Sequence, residues 1–265
     1  LVGMWAGQSN LVEWAWRIPF LSSIVLVAIG LYVRLKLTEA PLFLVALTQK
    51  QPTRIPMMTV LTSHFRPFML GMFACMAGYV LFYIMIAFSQ IYAKSAPTIS
   101  EAGFKMGLGF SPQLFTALLM ASAFSLAATI YLSGKYIDRI GRRIWMIWTT
   151  VGVAVFGLAL PCFLENGSAV SLFWFLIIGM GLIGLGYAPL ASFLPELFPT
   201  HARYSGASLT YNCAGLLSAS VATIITLPLN AHYGLKGVGL YLAANAVLSL
   251  IGLWFMQETK DVELA

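Results

Sequence analysis

Seven stretches of this chain are apolar for about twenty residues each, and short polar links separate them. The runs do not alternate with a period of two, as the strands of a membrane barrel do. Each is long enough to cross a bilayer core as a helix. The pattern predicts spans at about 16–35, 67–92, 112–132, 144–164, 170–193, 204–229 and 237–256. The fold class is therefore all-α, a polytopic membrane bundle of about seven transmembrane helices. Residues 1–6 read as the tail of a preceding helix. Leu rather than Met stands first, and the chain is taken to be a piece of a longer protein.

The links are unequal. The longest, 36–66, carries Pro41, Pro52 and Pro56, so it is not one helix, and 56–64 predicts a short surface helix. A second long link covers 93–111. Composition sharpens the picture: of 265 residues 60% are hydrophobic and only 9% charged, against about 25% in a soluble domain. The net charge of +6 is not a nucleic-acid signal, because the cations sit in the links. Arg17, Lys94, Lys105 and Lys236 fall on one side and the other cations on the opposite side. By the positive-inside rule the second side, and the C-terminus, are cytoplasmic. Cys75, Cys162 and Cys213 each lie in an apolar run and read as packing residues, with no metal site. No cofactor is expected.

Charge concentrates in one turn, G-K-Y-I-D-R-I-G-R-R, between the third and fourth spans. It holds Gly134, Asp138, Arg139, Gly141, Arg142 and Arg143. The expectation is a cytoplasmic gate. Gly134 lets two helices approach, Gly141 permits a tight turn, and Glu196 pairs with one of the arginines at 139–143. Arg203 flanks the same face, and Asp138 could meet the N-terminus of the sixth span near Tyr204. The bland alternative is a topology signal without a gating role. Exposed ion pairs of about 0–1 kcal/mol suit a gate that opens every cycle.

Six spans after a long cytoplasmic link suggest one repeat of a two-repeat transporter. An echo supports this: the first span ends in L-T-E-A-P, with Glu39, and the last in M-Q-E-T-K, with Glu258. The turn at 134–143 resembles the signature loop of the major facilitator superfamily. The string P-E-L-F-P-T-H-A-R-Y-S-G-A-S-L-T-Y-N, 195–212, resembles that family's metabolite:proton symporter subgroup, as do W-R-I-P-F-L-S-S at 16–23 and E-T-K-D at 258–261.

The resemblance implies a multi-pass secondary carrier of the bacterial inner membrane. It would be a proton symporter for a small organic metabolite, such as an organic acid, amino acid or betaine, working by alternating access. Residues 1–36 would end the N-terminal half, as family helix six with the end of helix five. Residues 37–65 would be the cytoplasmic central loop, 66–257 the C-terminal six-helix bundle and 258–265 a cytoplasmic tail. Its partners would be metabolite, protons, the lipid bilayer and the missing N-terminal half, without which the fragment is expected to be inactive. A drug or metabolite exporter is the alternative within transporters. From another class, a polytopic membrane enzyme or a scaffold remains, although no G-x-S-x-G or H-E-x-x-H appears.

Substrate-binding candidates are polar or aromatic residues deep in the spans: Tyr79, Tyr83, Gln90, Tyr187, Tyr211 and Asn212. For the tyrosines the competing reading is core or interfacial packing. Gly186 and Pro189 beside Tyr187 predict a break in the fifth span, and Gly179, Gly181, Gly184 and Gly186 a close-packing stripe. Arg17 either draws an anionic metabolite or snorkels to headgroups. No buried acid is evident, which places the proton site in the absent half. His64, His201 and His232 lie at span ends or in a link.

Overall fold

A computed structural model of the chain describes residues 11–36, 56–200, 202–256 and 258. Residues 37–55 of the expected central loop at 37–65, with Glu39, Lys50 and Arg54, lie outside the described residues, as do His201 and the tail beyond Glu258. The chain forms two compact units, Leu1–Gln51 and Pro52–Ala265.

In the first unit a π-helical turn, Leu11–Ala15, leads into α1, Arg17–Lys36. Twenty residues at 1.5 Å rise span about 30 Å, the thickness of a bilayer core. None of the residues of α1 is buried, and Arg34 and Lys36 complement the negative end of its dipole.

The second unit begins with the short helix α2, Pro56–Ser63, whose Val60 is buried against Phe68, Phe198 and Ala202. Next comes one apolar span, Phe65–Lys94, built of α3 (Phe65–Tyr83), a π-helical turn (Ile84–Phe88) and α4 (Ser89–Lys94). The span is irregular in a second place. The Ser249 hydroxyl donates to the Phe73 carbonyl at 2.7 Å and accepts from the Ala77 amide at 2.9 Å. A side chain so placed enters the i→i−4 ladder, a recognised cause of helix bending. Tyr79 thus sits between two departures from regular helix.

The link after α4 is a small hairpin-like loop with one bridge, Ile99–Lys105. Then follow α5 (Pro112–Ile140), α6 (Arg142–Leu164) and α7 (Ala169–Glu196). Ser111 and Ser168 cap α5 and α7 by accepting from Leu114 and Val170 amides.

The last two expected spans are joined in one element, α8, Arg203–Trp254, interrupted at Gly234 with φ 68° and ψ −168°. A straight helix of 52 residues would run about 78 Å. Instead the element folds back. Its start lies beside Phe198, since a side chain at Gly206 would strike that ring. Its end lies beside Arg143, which bonds Leu253 and Trp254. The sequence predicted a link at 230–236, but the reversal is confined to one glycine in a conformation that suits glycine. Phe104 of the hairpin-like loop closes over it, and Ser100 donates to the Ala231 carbonyl at 2.7 Å.

Glycines set how closely the helices lie. A Cβ at Gly184 would collide with Thr129 Oγ1 and the Leu126 carbonyl, and one at Gly181 would stand 3.0 Å from Ser125 Oγ. This is close packing of α7 on α5, supplied by small residues as in other membrane bundles. Between α6 and the second half of α8, Gly157 and Gly239 meet backbone to backbone. Deeper in, Phe156 stacks on Phe175 with centroids 5.2 Å apart, inside a core that continues through Val80, Leu160 and Leu242.

Pro189 does not break α7, contrary to expectation. Proline has no amide hydrogen, so the Leu185 carbonyl loses its ladder donor. Ser133 Oγ at 3.0 Å and Trp145 Nε1 at 2.9 Å donate to it instead. With the acceptor satisfied, the helix continues to Glu196.

Candidate functional site

At one end of the second unit the ionic turn joins α5 to α6 through a single residue. Gly141 closes α5 and opens α6 at φ 105° and ψ 137°. A glycine has no side chain to cap the new helix. Glu258, just beyond α8, does so: its carboxylate accepts from the Arg142 amide at 3.0 Å and the Arg143 amide at 3.2 Å. An anion there meets both the orphan amides and the positive end of the dipole. Arg143 returns the contact. Its Nε donates to the Leu253 carbonyl at 2.8 Å and its terminal nitrogen to the Trp254 carbonyl at 2.7 Å, with the guanidinium 6.0 Å from the Trp254 ring. The start of α6 and the end of α8 therefore cap each other.

Arg142 reaches the other way. It makes a close ion pair with Glu196 at the end of α7 and a second contact, 3.5 Å, with Asp138 one turn earlier. Asp138 is thus placed on Arg142, with a side chain 73% exposed. Arg142 and Glu196 are only 18% and 15% exposed. This pair is more shielded than the surface pairs of about 0–1 kcal/mol expected from sequence. Loss of one partner from a fully buried pair costs about 3–5 kcal/mol, and this one lies between. Arg142 Nε, Glu196 Oε2 and Arg203 Nε are buried without a hydrogen-bond partner among the described residues. Arg139 is exposed in the last turn of α5.

Gly134 differs from its expected role. A Cβ added there would meet nothing within 4 Å. It lies on an open face of α5, and the close approach of helices in this region falls to Gly181 and Gly184 instead.

A cavity of about 300 Å³ opens inside the second unit, between α3, α5, α6, α7 and α8. Tyr79, Tyr187 and Tyr211 line it together with Phe82, Thr149 and Thr150, and among the described residues no charged side chain does. The Tyr79 and Tyr211 rings lie 5.1 Å apart, and the Tyr79 hydroxyl donates to the Tyr211 carbonyl at 3.1 Å. Thr149 and Thr150 return their hydroxyls to Trp145 and Met146 carbonyls one turn back. Three of the candidates therefore meet in one place.

The others do not. Tyr83 packs against the central core and the Phe82 ring. Gln90 is exposed near the far end of the span. Asn212 is exposed on α8, where its amide donates to the Ser208 carbonyl at 2.8 Å. Arg17 belongs to the first unit, where it donates to the Glu13 carbonyl at 3.0 Å and stacks on Trp16 at 4.6 Å. Sequence reasoning missed Ser133, Trp145, Thr149 and Thr150, and it took Glu258 as an echo of Glu39 and as part of the E-T-K-D string, not as a cap. Pro189 was the available signal for the first two, because it demands outside donors for the carbonyl four residues earlier.

Transmembrane-length spans, a glycine-linked ionic turn and a cavity within the bundle describe a polytopic membrane-helical domain. Residues 1–223 match the Major Facilitator Superfamily, and the chain belongs to that family. It is 79% identical over 255 residues to a Haemophilus influenzae protein provisionally named for metabolite transport, covering 96% of this chain and 57% of that one. It is 42% identical to the inner membrane metabolite transport protein YhjE of Escherichia coli, covering 97% of this chain and 57% of that one. The proline/betaine transporter of Salmonella typhimurium is 26% identical, over 98% of this chain and 52% of its own length. The chain thus spans little more than half the length of these relatives. The family is one of transporters, which sets aside the enzyme reading.

Proposed function

We propose that the chain supplies the C-terminal portion of a proton-coupled secondary carrier of the bacterial inner membrane, moving a small organic metabolite by alternating access. Residues 1–36 end the preceding half, 37–65 form the central loop, 66–257 the six-helix bundle and 258–265 the tail. The ionic turn and the C-terminus face the cytoplasm. The observation that carries this reading is the shielded Arg142–Glu196 pair. It ties the α5–α6 turn to the end of α7, the helix that also carries Tyr187 into the cavity. Making and breaking it changes how one end of α7 is held, as alternating access needs. Asp138, Arg139, Arg143 and Arg203 belong to the same face, and Gly141 with Glu258 sets the geometry of its turn.

Tyr79, Tyr187 and Tyr211 form this half's contribution to substrate binding. Among the described residues no charged side chain lines their cavity, so it suits a neutral or zwitterionic solute better than a di- or tricarboxylate. Proline and betaine are the named substrates of the more distant relatives, and both are zwitterions. Coupling protons are taken up on the other half of the carrier.

The test is uptake by the full-length carrier in proteoliposomes. Collapse of the proton gradient should abolish accumulation of labelled proline or betaine. Glu196→Gln and Arg142→Gln should each shift the protein toward the inward-open form, read by cysteine alkylation from either side. The charge swap, Arg142→Glu with Glu196→Arg, should restore part of the balance. Wild-type facing ratios in both single variants would refute the gate. Accumulation indifferent to the proton gradient would refute the coupling.

A further inference from the structure

The carbonyl of Leu185 is held in an unusual way. Pro189 leaves it without a helix donor, and a carbonyl oxygen has two lone pairs. Both are taken by side chains from other helices, the Ser133 hydroxyl of α5 at 3.0 Å and the Trp145 indole of α6 at 2.9 Å. Ser133 is fully buried. These donors stand on either side of the ionic turn: Ser133 directly precedes Gly134, and Trp145 follows Arg142 by three residues.

The acceptor's position completes the connection. Leu185 lies two residues before Tyr187, which lines the cavity. Eleven residues further along α7 is Glu196, paired with Arg142; at helical rise the two points are about 16 Å apart. The α5–α6 pair therefore grips α7 twice, by an ion pair at its end and by a two-donor clamp beside the cavity. The clamp closes on a turn of α7 where Pro189 removes a ladder bond, a common place for a helix to bend.

We infer that Ser133 and Trp145 are positioning residues that carry the state of the ionic turn to the cavity wall at Tyr187, by gripping the Leu185 carbonyl that Pro189 frees. Neither touches substrate. When the Arg142–Glu196 pair opens and the α5–α6 junction shifts, the clamp moves the segment around Leu185 with it. The inference rests on the reading of the turn as a gate.

The experiment is a double-mutant cycle in the full-length carrier, with KM for labelled substrate and the facing ratio as readouts. Trp145→Phe keeps the ring and removes the donor, and Ser133→Ala removes the other. Each is expected to raise KM about two- to tenfold, the worth of one hydrogen bond, while Ser133→Thr retains wild-type KM within about twofold. Glu196→Gln should change KM in the wild-type background and lose that effect when both donors are removed. If the double variant is poorly folded, Ser133→Ala alone serves for the cycle. Pro189→Ala, which returns an amide to the Leu185 carbonyl, should restore the double variant's thermal stability but leave its KM insensitive to Glu196→Gln. An equal effect of Glu196→Gln on KM in both backgrounds overturns the clamp and leaves the gate standing. No effect of Glu196→Gln on KM or facing ratio in the wild-type background overturns the gate, and the clamp with it.

Discussion

Gly141 is where backbone and charge depend on one another most directly. Its φ of 105° is a conformation that residues with a side chain rarely adopt, and a Cβ there would stand 2.9 Å from Glu258 Oε2. Gly141→Ala should therefore cost about 1–3 kcal/mol from strain alone, with displacement of the Glu258 cap in addition. A fall in the thermal midpoint of the detergent-solubilised protein would show it, and an unchanged midpoint would contradict the geometry. Glu258 can be examined separately. Glu258→Ala leaves the amides of Arg142 and Arg143 without their acceptor and should cost about 0.5–2 kcal/mol, as other N-cap losses do. Glu258→Gln keeps an acceptor but loses the charge that favours the helix N-terminus, so its midpoint should fall between Ala and wild type. Equal midpoints for Gln and Ala would mean that charge alone matters at this cap.

Between elements, the packing of α7 on α5 is decided by Gly184. Its missing side chain makes room for Thr129 Oγ1 and the Leu126 carbonyl, and a backbone carbonyl cannot turn aside as a flexible side chain can. Gly184→Val should separate the helices and cost several kcal/mol, at or above the 1–3 kcal/mol typical of overpacking. Gly184→Ala set beside Gly186→Ala is the matched comparison, since a Cβ at 186 finds only ordinary contact with Thr149 at 3.6 Å. Thermal midpoints of the two variants, measured side by side, should differ clearly. The helices themselves were legible in the sequence because twenty-residue apolar runs have few other uses. The Arg142–Glu196 pairing was legible as one of three possibilities, because charge is so scarce that an acid and a base at one membrane face must meet. Other features were not legible. Whether Gly234 reverses the chain alone or within a longer link depends on the hairpin-like loop that brings Phe104 over it. The donors to Leu185 come from helices 40 and 52 residues away in sequence, and local pattern carries no trace of them. The expected break at Pro189 failed for this reason: proline dictates a missing bond, and tertiary packing dictates whether it is replaced.

For the whole molecule, the first half of α8 poses a question about its surroundings. Tyr204, Ser208 and Asn212 are exposed on successive turns of it, and Ser220 and Thr223 are exposed further along, beyond the exposed Leu216. Four of these five are small polar residues on an otherwise apolar stretch of helix. Asn212 satisfies one amide hydrogen on its own helix, and its oxygen needs a partner that lipid tails cannot offer. Such a face suits either protein or water. The matched region is 52–57% of each relative, which leaves 43–48% of its length beyond it, and the proposed fold places that other half against this one. Asn212→Leu separates the environments. Facing lipid, leucine would be neutral or favourable. Facing a partner helix or an aqueous route, it removes a polar contact worth about 0.6–1.7 kcal/mol, so uptake by the full-length carrier should fall about three- to fifteenfold at unchanged membrane content. The same reasoning predicts that residues 1–265, reconstituted alone, support no saturable, gradient-driven uptake, because a single repeat has nothing to rock against. Adding the preceding half as a separate polypeptide should restore it. Uptake by these residues alone would mean that the polar face of α8 finds its partner within a second copy of the chain, and Asn212→Leu should then abolish both the uptake and the association of the copies.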